Sequence, residues 1–208
     1  MRRSRFLTRT ICIALCTLLS AAAYAADLSS LTQQAQQAAT KGNTGLALGL
    51  YELALTQSAG QPESVFGPID GQYWRLIAKT DDFPRALNFF SALNAQQRNP
   101  SASLLADQAN AIGGYMGWLQ QNNLAASMSP TFFQEMDTTA RKDYNQALAL
   151  DPDNFSALYG YAIYESYSPN GKAHMQELLA KLNALRPSHP QYPWQMVDYL
   201  EQHGHPQQ

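Results

Sequence analysis

The sequence predicts an all-α chain of about four tandem helix–turn–helix units, a repeat solenoid in one domain. Three observations predict it. First, "KGNTGLALGLYELAL" places Ala47, Tyr51 and Ala54 at offsets of four and three, which puts them on one helix face. Ala86, Phe90 and Leu93 in "KTDDFPRALNFFSAL", and Ala140, Tyr144 and Ala147 in "ARKDYNQALAL", repeat that spacing. Second, "DPDN" at Asp151 to Asn154 stops the chain between two apolar-periodic segments. Pro152 cannot continue a helix interior, and it biases Asp151 away from helical geometry. Asp153 or Asn154 then caps the next helix by accepting its free N–H groups. Third, turn residues recur between the segments: Lys41-Gly42-Asn43, Asp81, and "SPNGK" from Ser168 to Lys172.

The first 25 residues read as a secretory leader rather than as part of the fold. Arg2, Arg3, Arg5 and Arg9 form a basic start, and "ICIALCTLLSAAA" is an apolar core too short for a membrane span. "AYA" at Ala23-Tyr24-Ala25 is a small-x-small signal, placing the cut between Ala25 and Ala26. An uncleaved N-terminal anchor is the competing reading. Arg2-Arg3 resembles a twin-arginine start, but Phe6-Leu7 sits one residue too far along. Cys16 suggests a lipoprotein box, but Leu15 stands where that motif needs a small residue. General secretion therefore fits best, giving a periplasmic or secreted protein without a membrane span in its mature chain. Both cysteines, Cys12 and Cys16, leave with the leader, so burial alone must stabilise the rest. Four of the 14 Lys and Arg also leave while all 16 Asp and Glu stay, which makes 10 against 16, or −6. That balance argues against a nucleic-acid partner.

In order, the first unit spans 28–61, with its turn at Lys41-Gly42-Asn43. The second spans 67–100 and ends in "RNP". The third runs 101–154, about 20 residues longer than the 34 of a regular unit. The fourth spans 155–190 and ends near Pro187 and Pro190. Trp194 to Gln202 is a last amphipathic piece that caps the stack, closing a domain at 26–202. Residues 203–208 form a flexible tail.

The spacing resembles the tetratricopeptide repeat, whose second helix carries Ala, an aromatic and Ala, with Pro near its end. "YNQALALDPDN" and the Gly42, Ala47, Tyr51, Ala54 set are the nearest matches. The second and fourth units depart from the pattern in their first helices; Asp70 stands where a large apolar residue belongs. The resemblance implies a curved stack whose first helices line a concave, partner-binding face. Carried over by register, that face would hold Gln36, Arg75, Lys79, Leu105, Ala109, Tyr159, Ile163 and Tyr167. Family members that bind peptides often grip a terminal carboxylate with Lys, Arg and Asn. Arg75 and Lys79, four apart on one helix, suit that contact or belong to a solvated face. Asn110 lies one position off the register. Tyr159 and Tyr167 suit recognition or inter-unit packing, while Tyr161 and Tyr164 are expected inward.

The extra residues of the third unit fall at 113–132. Gly113, Gly114 and Gly117 weaken helix propensity there. Tyr115, Met116, Trp118 and Met128 offer an adaptable binding surface, or else belong to an extended first helix with a loop on the core. The chain offers no catalytic constellation. His174, His189, His203 and His205 are scattered or lie in the tail, and no phosphate loop or nucleophile elbow occurs. Neither a metal nor a cofactor is expected, and an enzyme is the least favoured class. The expected function is an adaptor or scaffold that holds a protein or peptide partner of a bacterial-type cell envelope. The main alternative is an exported inhibitor of immunity type, which plugs a toxin.

Overall fold

The computed structural model describes residues 27–190 and 192–204, which are helical and contain no strand. The leader, its cleavage site and the last four residues lie outside the described residues. Nine α-helices are described: α1 (27–40), α2 (Thr44–Ser58), α3 (Glu63–Thr80), α4 (Phe83–Gln96), α5 (Ala102–Gln121), α6 (Pro130–Leu150), α7 (Phe155–Ser166), α8 (Lys172–Leu185) and α9 (Trp194–His203). A short 3₁₀ turn, Ala125–Ser127, joins α5 to α6. No described helix is long and apolar enough to cross a membrane. The chain divides into two compact units, one ending at Thr80 and the other starting at Asp81.

In the first unit, α2 packs on α3. Ala47, Tyr51, Ala54 and Leu55 of α2 and Tyr73 and Ile77 of α3 are buried. Tyr73 donates its hydroxyl to Glu52 Oε1 at 3.2 Å, tying the two helices near their middles. Gly42, at φ +78°, supplies the left-handed residue that lets the chain turn into α2. The helix α3 begins four residues before the expected start of the second unit. The Pro62 carbonyl accepts from the N–H groups of Val65 and Phe66, so the first turn forms ahead of Pro68.

In the second unit each helix packs on its neighbour in sequence, and α5 also packs on α7. The three recurrent positions of α6 are buried: Ala140 and Ala147 at 0% exposure and Tyr144 at 1%. Ala86, Phe90 and Leu93 of α4 are buried in the same way. The "DPDN" segment is a hydrogen-bonded hinge. Asp151 Oδ1 accepts from the Asp153 N–H at 3.2 Å, and Asn154 Oδ1 caps α7 by accepting from the Ala157 N–H at 3.0 Å. The Asn154 amide also donates to Ser103 Oγ of α5 at 3.1 Å, so the cap fastens the hinge to the preceding hairpin.

The extra residues expected at 113–132 are taken up largely by helix. The α5 and α6 helices have 20 and 21 residues, against 12 for α7. Glycine propensity fails to break α5 because packing rewards its absent side chains. A Cβ on Gly114 would overlap the ring of Phe83 from α4. On α7, a Cβ on Gly160 would overlap the Asn110 carboxamide. Ser101 and Ser129 cap α5 and α6, and Pro130 stands in the first turn of α6, where its missing N–H costs nothing.

Ala147 lies against Ala102, Leu105, Ala106 and Ala157, where three helices meet. Ala147→Trp is expected to overpack this contact and cost about 1–3 kcal/mol, lowering the melting temperature by several degrees. Asp143 is 6% exposed, and its Oδ2 has no hydrogen-bond partner. Burial, opposed by the Lys142 charge, raises its pKa from 3.8 to about 6. A folded-state pKa above the unfolded one means stability falls as pH rises between these values and the cost is complete at pH 7. Asp143→Asn is therefore expected to stabilise the protein at pH 7 by about 1–2 kcal/mol, less than the full shift because a buried amide also needs partners. Denaturant melts at pH 4 and pH 7 test this: the gain should be small at pH 4.

Candidate functional site

The candidate side chains fall in four places. On α3, Arg75 and Lys79 are exposed, and neither forms an ion pair among the described residues. The Arg75 Nε donates to the Gly71 carbonyl at 3.1 Å, which fixes the start of the guanidinium along the helix. Burial raises the Tyr51 pKa, and the Arg75 charge opposes that rise. Gln36, on α1, is exposed.

On α7, Tyr159, Ile163 and Tyr167 follow one another at intervals of four. The other sides of α7 are taken by α5, α6 and α8. Tyr159 is half-buried and its ring stacks on Phe155 at 5.7 Å. Ile163 is half-buried, and Tyr167, at the C-cap, is 79% exposed. Burial and the neighbouring Tyr167 both raise the Tyr159 pKa, so its hydroxyl stays protonated as a donor.

Leu105 and Ala109 do not join such a surface. They are 3% and 0% exposed. Leu105 packs with Ala147 and Ala157, and Ala109 lies in the large core with Tyr144 and Tyr161. The reason is that α5 is enclosed by α4, α6 and α7, so most of its circumference is core. Asn110 instead serves the interior: it accepts the Tyr144 hydroxyl at 2.7 Å and donates to Ser156 Oγ at 3.3 Å.

The third surface is the end of the α5–α6 hairpin. Tyr115, Met116, Trp118 and Met128 are all half-buried there. Tyr115 and Trp118 lie nearly parallel with centroids 5.9 Å apart, and Phe132 of α6 stands edge-on to Tyr115 at 6.4 Å.

A fourth cluster was not legible in the sequence. Arg141 of α6 donates from Nε to both Asp137 oxygens at 3.1 Å, from its terminal nitrogens to Glu165 of α7, and to Ser168 Oγ at 3.1 Å. Glu165 is 2% exposed and also meets His174 Nδ1 of α8 at 3.0 Å. The Tyr164 hydroxyl donates to Asp137 Oδ1 at 2.7 Å. Burial works against the Arg141 charge, but the Glu165 and Asp137 carboxylates outweigh it and hold the guanidinium protonated. Burial, then the Asp137 hydrogen bond and charge, push the Tyr164 pKa far up. The only signal available in the sequence was Asp137 and Arg141 at i,i+4; Glu165 and His174 lie 24 and 33 positions further on. Every strong acceptor here is engaged by a cation or a hydroxyl, so the cluster acts as a clamp across α6, α7 and α8.

Among the described residues no group of three or more His, Cys, Asp or Glu is placed to hold a metal ion. A shallow cleft at the hinge, lined by Leu148, Pro152, Leu158, Lys181 and Leu185 among others, is mainly apolar, and Lys181 is paired with Glu177 at 2.8 Å. Comparisons with protein-family models, curated proteins and solved structures gave no match.

Removing Arg141 would strand the buried Glu165 with only the partly exposed His174 as partner. Arg141→Ala is expected to cost about 2–4 kcal/mol, and adding Glu165→Gln should recover more than half of it. Denaturant melts of the two single variants and the double variant give the coupling; simple additivity would mean the clamp carries no pairwise energy.

Proposed function

We propose that the mature chain is an exported interaction scaffold of tetratricopeptide type that holds a segment of a cell-envelope partner without bond chemistry. The observation that carries this reading is the Arg75–Lys79 pair: two exposed cations, one turn apart, left without carboxylate partners in a mature chain of net charge −6. Two unneutralised cations one turn apart on a helix suit charge-assisted hydrogen bonds to an anionic segment or a terminal carboxylate. The all-helical architecture, the hinge capped by Asn154 and the buried Ala–aromatic–Ala faces support the repeat assignment. In the second compact unit the Tyr159–Ile163–Tyr167 file is a separate candidate contact surface, half-buried at Tyr159 and Ile163 and exposed at Tyr167. Export rests on the leader, which leaves a thiol-free chain.

Two double variants separate the contributions. Arg75→Glu with Lys79→Glu is expected to weaken binding of the partner captured from envelope extract by about 2 kcal/mol, roughly thirtyfold, without changing helicity. Its wild-type affinity should fall as salt rises, since exposed charges are screened beyond about 10 Å at 0.1 M. Tyr159→Ala with Tyr167→Ala should remove the salt-independent part. Calorimetric titration at two salt concentrations reads both. If neither variant loses affinity for the captured partner, this reading of the surface fails.

A further inference from the structure

We propose that Asn170, in the link between α7 and α8, is a site of spontaneous deamidation, and that one hydrogen bond of its turn controls how fast it converts to isoaspartate. The reaction is intramolecular and takes only water. It needs no docked partner, lies within the second compact unit, and stands or falls independently of the scaffold reading.

Among the asparagines of the sequence, only Asn170 precedes a glycine. Any other following residue shields its own amide nitrogen with a side chain, whereas Gly171 leaves that nitrogen open to the Asn170 carboxamide. The Asn170 side chain is exposed and makes no hydrogen bond among the described residues. Three other asparagines of the unit are held. The Asn154 carboxamide caps α7 and donates to Ser103, Asn110 joins Tyr144 to Ser156, and Asn145 sits inside α6. Packing also keeps the reactive pair in place. Gly171 is buried, and a Cβ there would stand 2.1 Å from the Glu165 carbonyl oxygen and 2.6 Å from its carboxylate. No side chain can replace this glycine unless the end of α7 moves.

The turn restrains the attacking atom. Ser168, Pro169, Asn170 and Gly171 form a four-residue turn, closed by the Gly171 N–H donating to the Ser168 carbonyl at 3.0 Å. Pro169 stands at the second position, where its fixed φ preorganises such a turn. The turn is anchored on both sides: the Ser168 N–H donates to the Glu165 carbonyl at 3.0 Å, and the Gly171 carbonyl accepts from the Met175 N–H at 2.8 Å. The Gly171 nitrogen is therefore engaged in the closed turn, and it reaches the side chain of Asn170 only when the turn opens locally.

The step balances without a cofactor. The Gly171 amide nitrogen gives its proton to hydroxide and attacks Cγ of Asn170. A bond from Cγ to that nitrogen forms, the bond to the side-chain nitrogen breaks, and ammonia leaves with a proton from water. Water then opens the succinimide. Opening on the Cγ side gives aspartate, and opening on the main-chain side gives isoaspartate. The two products differ in consequence. Aspartate keeps the backbone and places a negative charge just ahead of α8, where the helix N-terminus favours it. Isoaspartate adds one carbon to the main chain inside the turn. That displaces Gly171 from Glu165, the buried carboxylate that joins Arg141 to His174.

The test incubates the mature chain at mildly alkaline pH, folded and in guanidinium chloride, and follows each asparagine by peptide mass spectrometry. Electron-transfer fragmentation separates isoaspartate from aspartate. In the folded chain Asn170 should convert about tenfold or more faster than Asn145 and Asn154, because its turn opens at less cost than α6 or the α7 cap. Conversion should be faster still in guanidinium chloride. Pro169→Ala loosens the turn without touching Glu165; it should speed conversion in the folded chain roughly two- to fivefold and leave the rate in guanidinium chloride unchanged. The isoaspartyl protein, isolated by chromatography, should melt below the Asn170→Asp variant. Conversion of Asn170 no faster than that of Asn145 and Asn154 overturns the site. Equal rates in the folded and unfolded wild-type chain, or a folded Pro169→Ala chain no faster than wild type, overturn control by the turn. Equal melting temperatures for the isoaspartyl protein and Asn170→Asp overturn the consequence at Glu165.

Discussion

The larger unit depends on one hydrogen bond, from the Tyr144 hydroxyl to Asn110 Oδ1 at 2.7 Å. Tyr144 is 1% exposed, so its hydroxyl has no water to fall back on, and burial raises its pKa well above normal. Its ring stacks on Tyr161 of α7 at 4.6 Å, while its hydroxyl reaches α5. Asn110 in turn donates to Ser156 and lies where Gly160 leaves space. One tyrosine of α6 thus sets the spacing of three helices. Ala140 and Ala147 stay small so that the ring between them can reach across, and Gly160 stays bare so that Asn110 can be reached.

This arrangement explains which parts of the fold were legible. A buried face leaves a periodic trace along its own helix, so the Ala–aromatic–Ala pattern and the hinge at "DPDN" could be read locally. The Asn154 cap was legible for the same reason: its main partner, the Ala157 N–H, lies three residues away. Contacts between helices leave no such trace. Nothing near Arg141 in sequence points to Glu165 or His174, and nothing near Ser103 points to Asn154. The register of α5 failed for a related reason. A helix packed on three neighbours has no single outward face, so an exposure pattern carried over from a resemblance placed Leu105 and Ala109 on the wrong side. Glycine misled in the same segment, because intrinsic propensity assumes that nothing fills the space a missing side chain leaves.

The Arg141 clamp contributes specificity more than net stability. Desolvating Glu165 and much of the guanidinium offsets a large part of their attraction, so an apolar replacement of the whole set would cost little. What the clamp does fix is position. Arg141 reaches Glu165 near the end of α7 and Ser168 in the following turn, and Glu165 reaches His174 in the first turn of α8. A helix slipped by one turn would leave a buried carboxylate without its cation, which is a far larger penalty than a misplaced leucine.

That fixed position matters for the outer face of α7. With α5, α6 and α8 against its other sides, the helix cannot rotate to hide Tyr159, Ile163 and Tyr167. The file is also graded: Tyr159 is held by Phe155 at one end, and Tyr167 stands 79% exposed at the other. A segment docking there would meet rings already ordered at the Tyr159 end, so little side-chain entropy remains to be lost at that point. The Arg75–Lys79 pair has less support: Arg75 is held only by its hydrogen bond to the Gly71 carbonyl, and Lys79, long and exposed, keeps most of its rotamer freedom. Tyrosine contacts therefore suit the salt-independent part of an affinity, and the cations suit steering together with its salt-dependent part, because exposed charges act at a distance before contact and can hold an anionic group by charge-assisted hydrogen bonds once it is made.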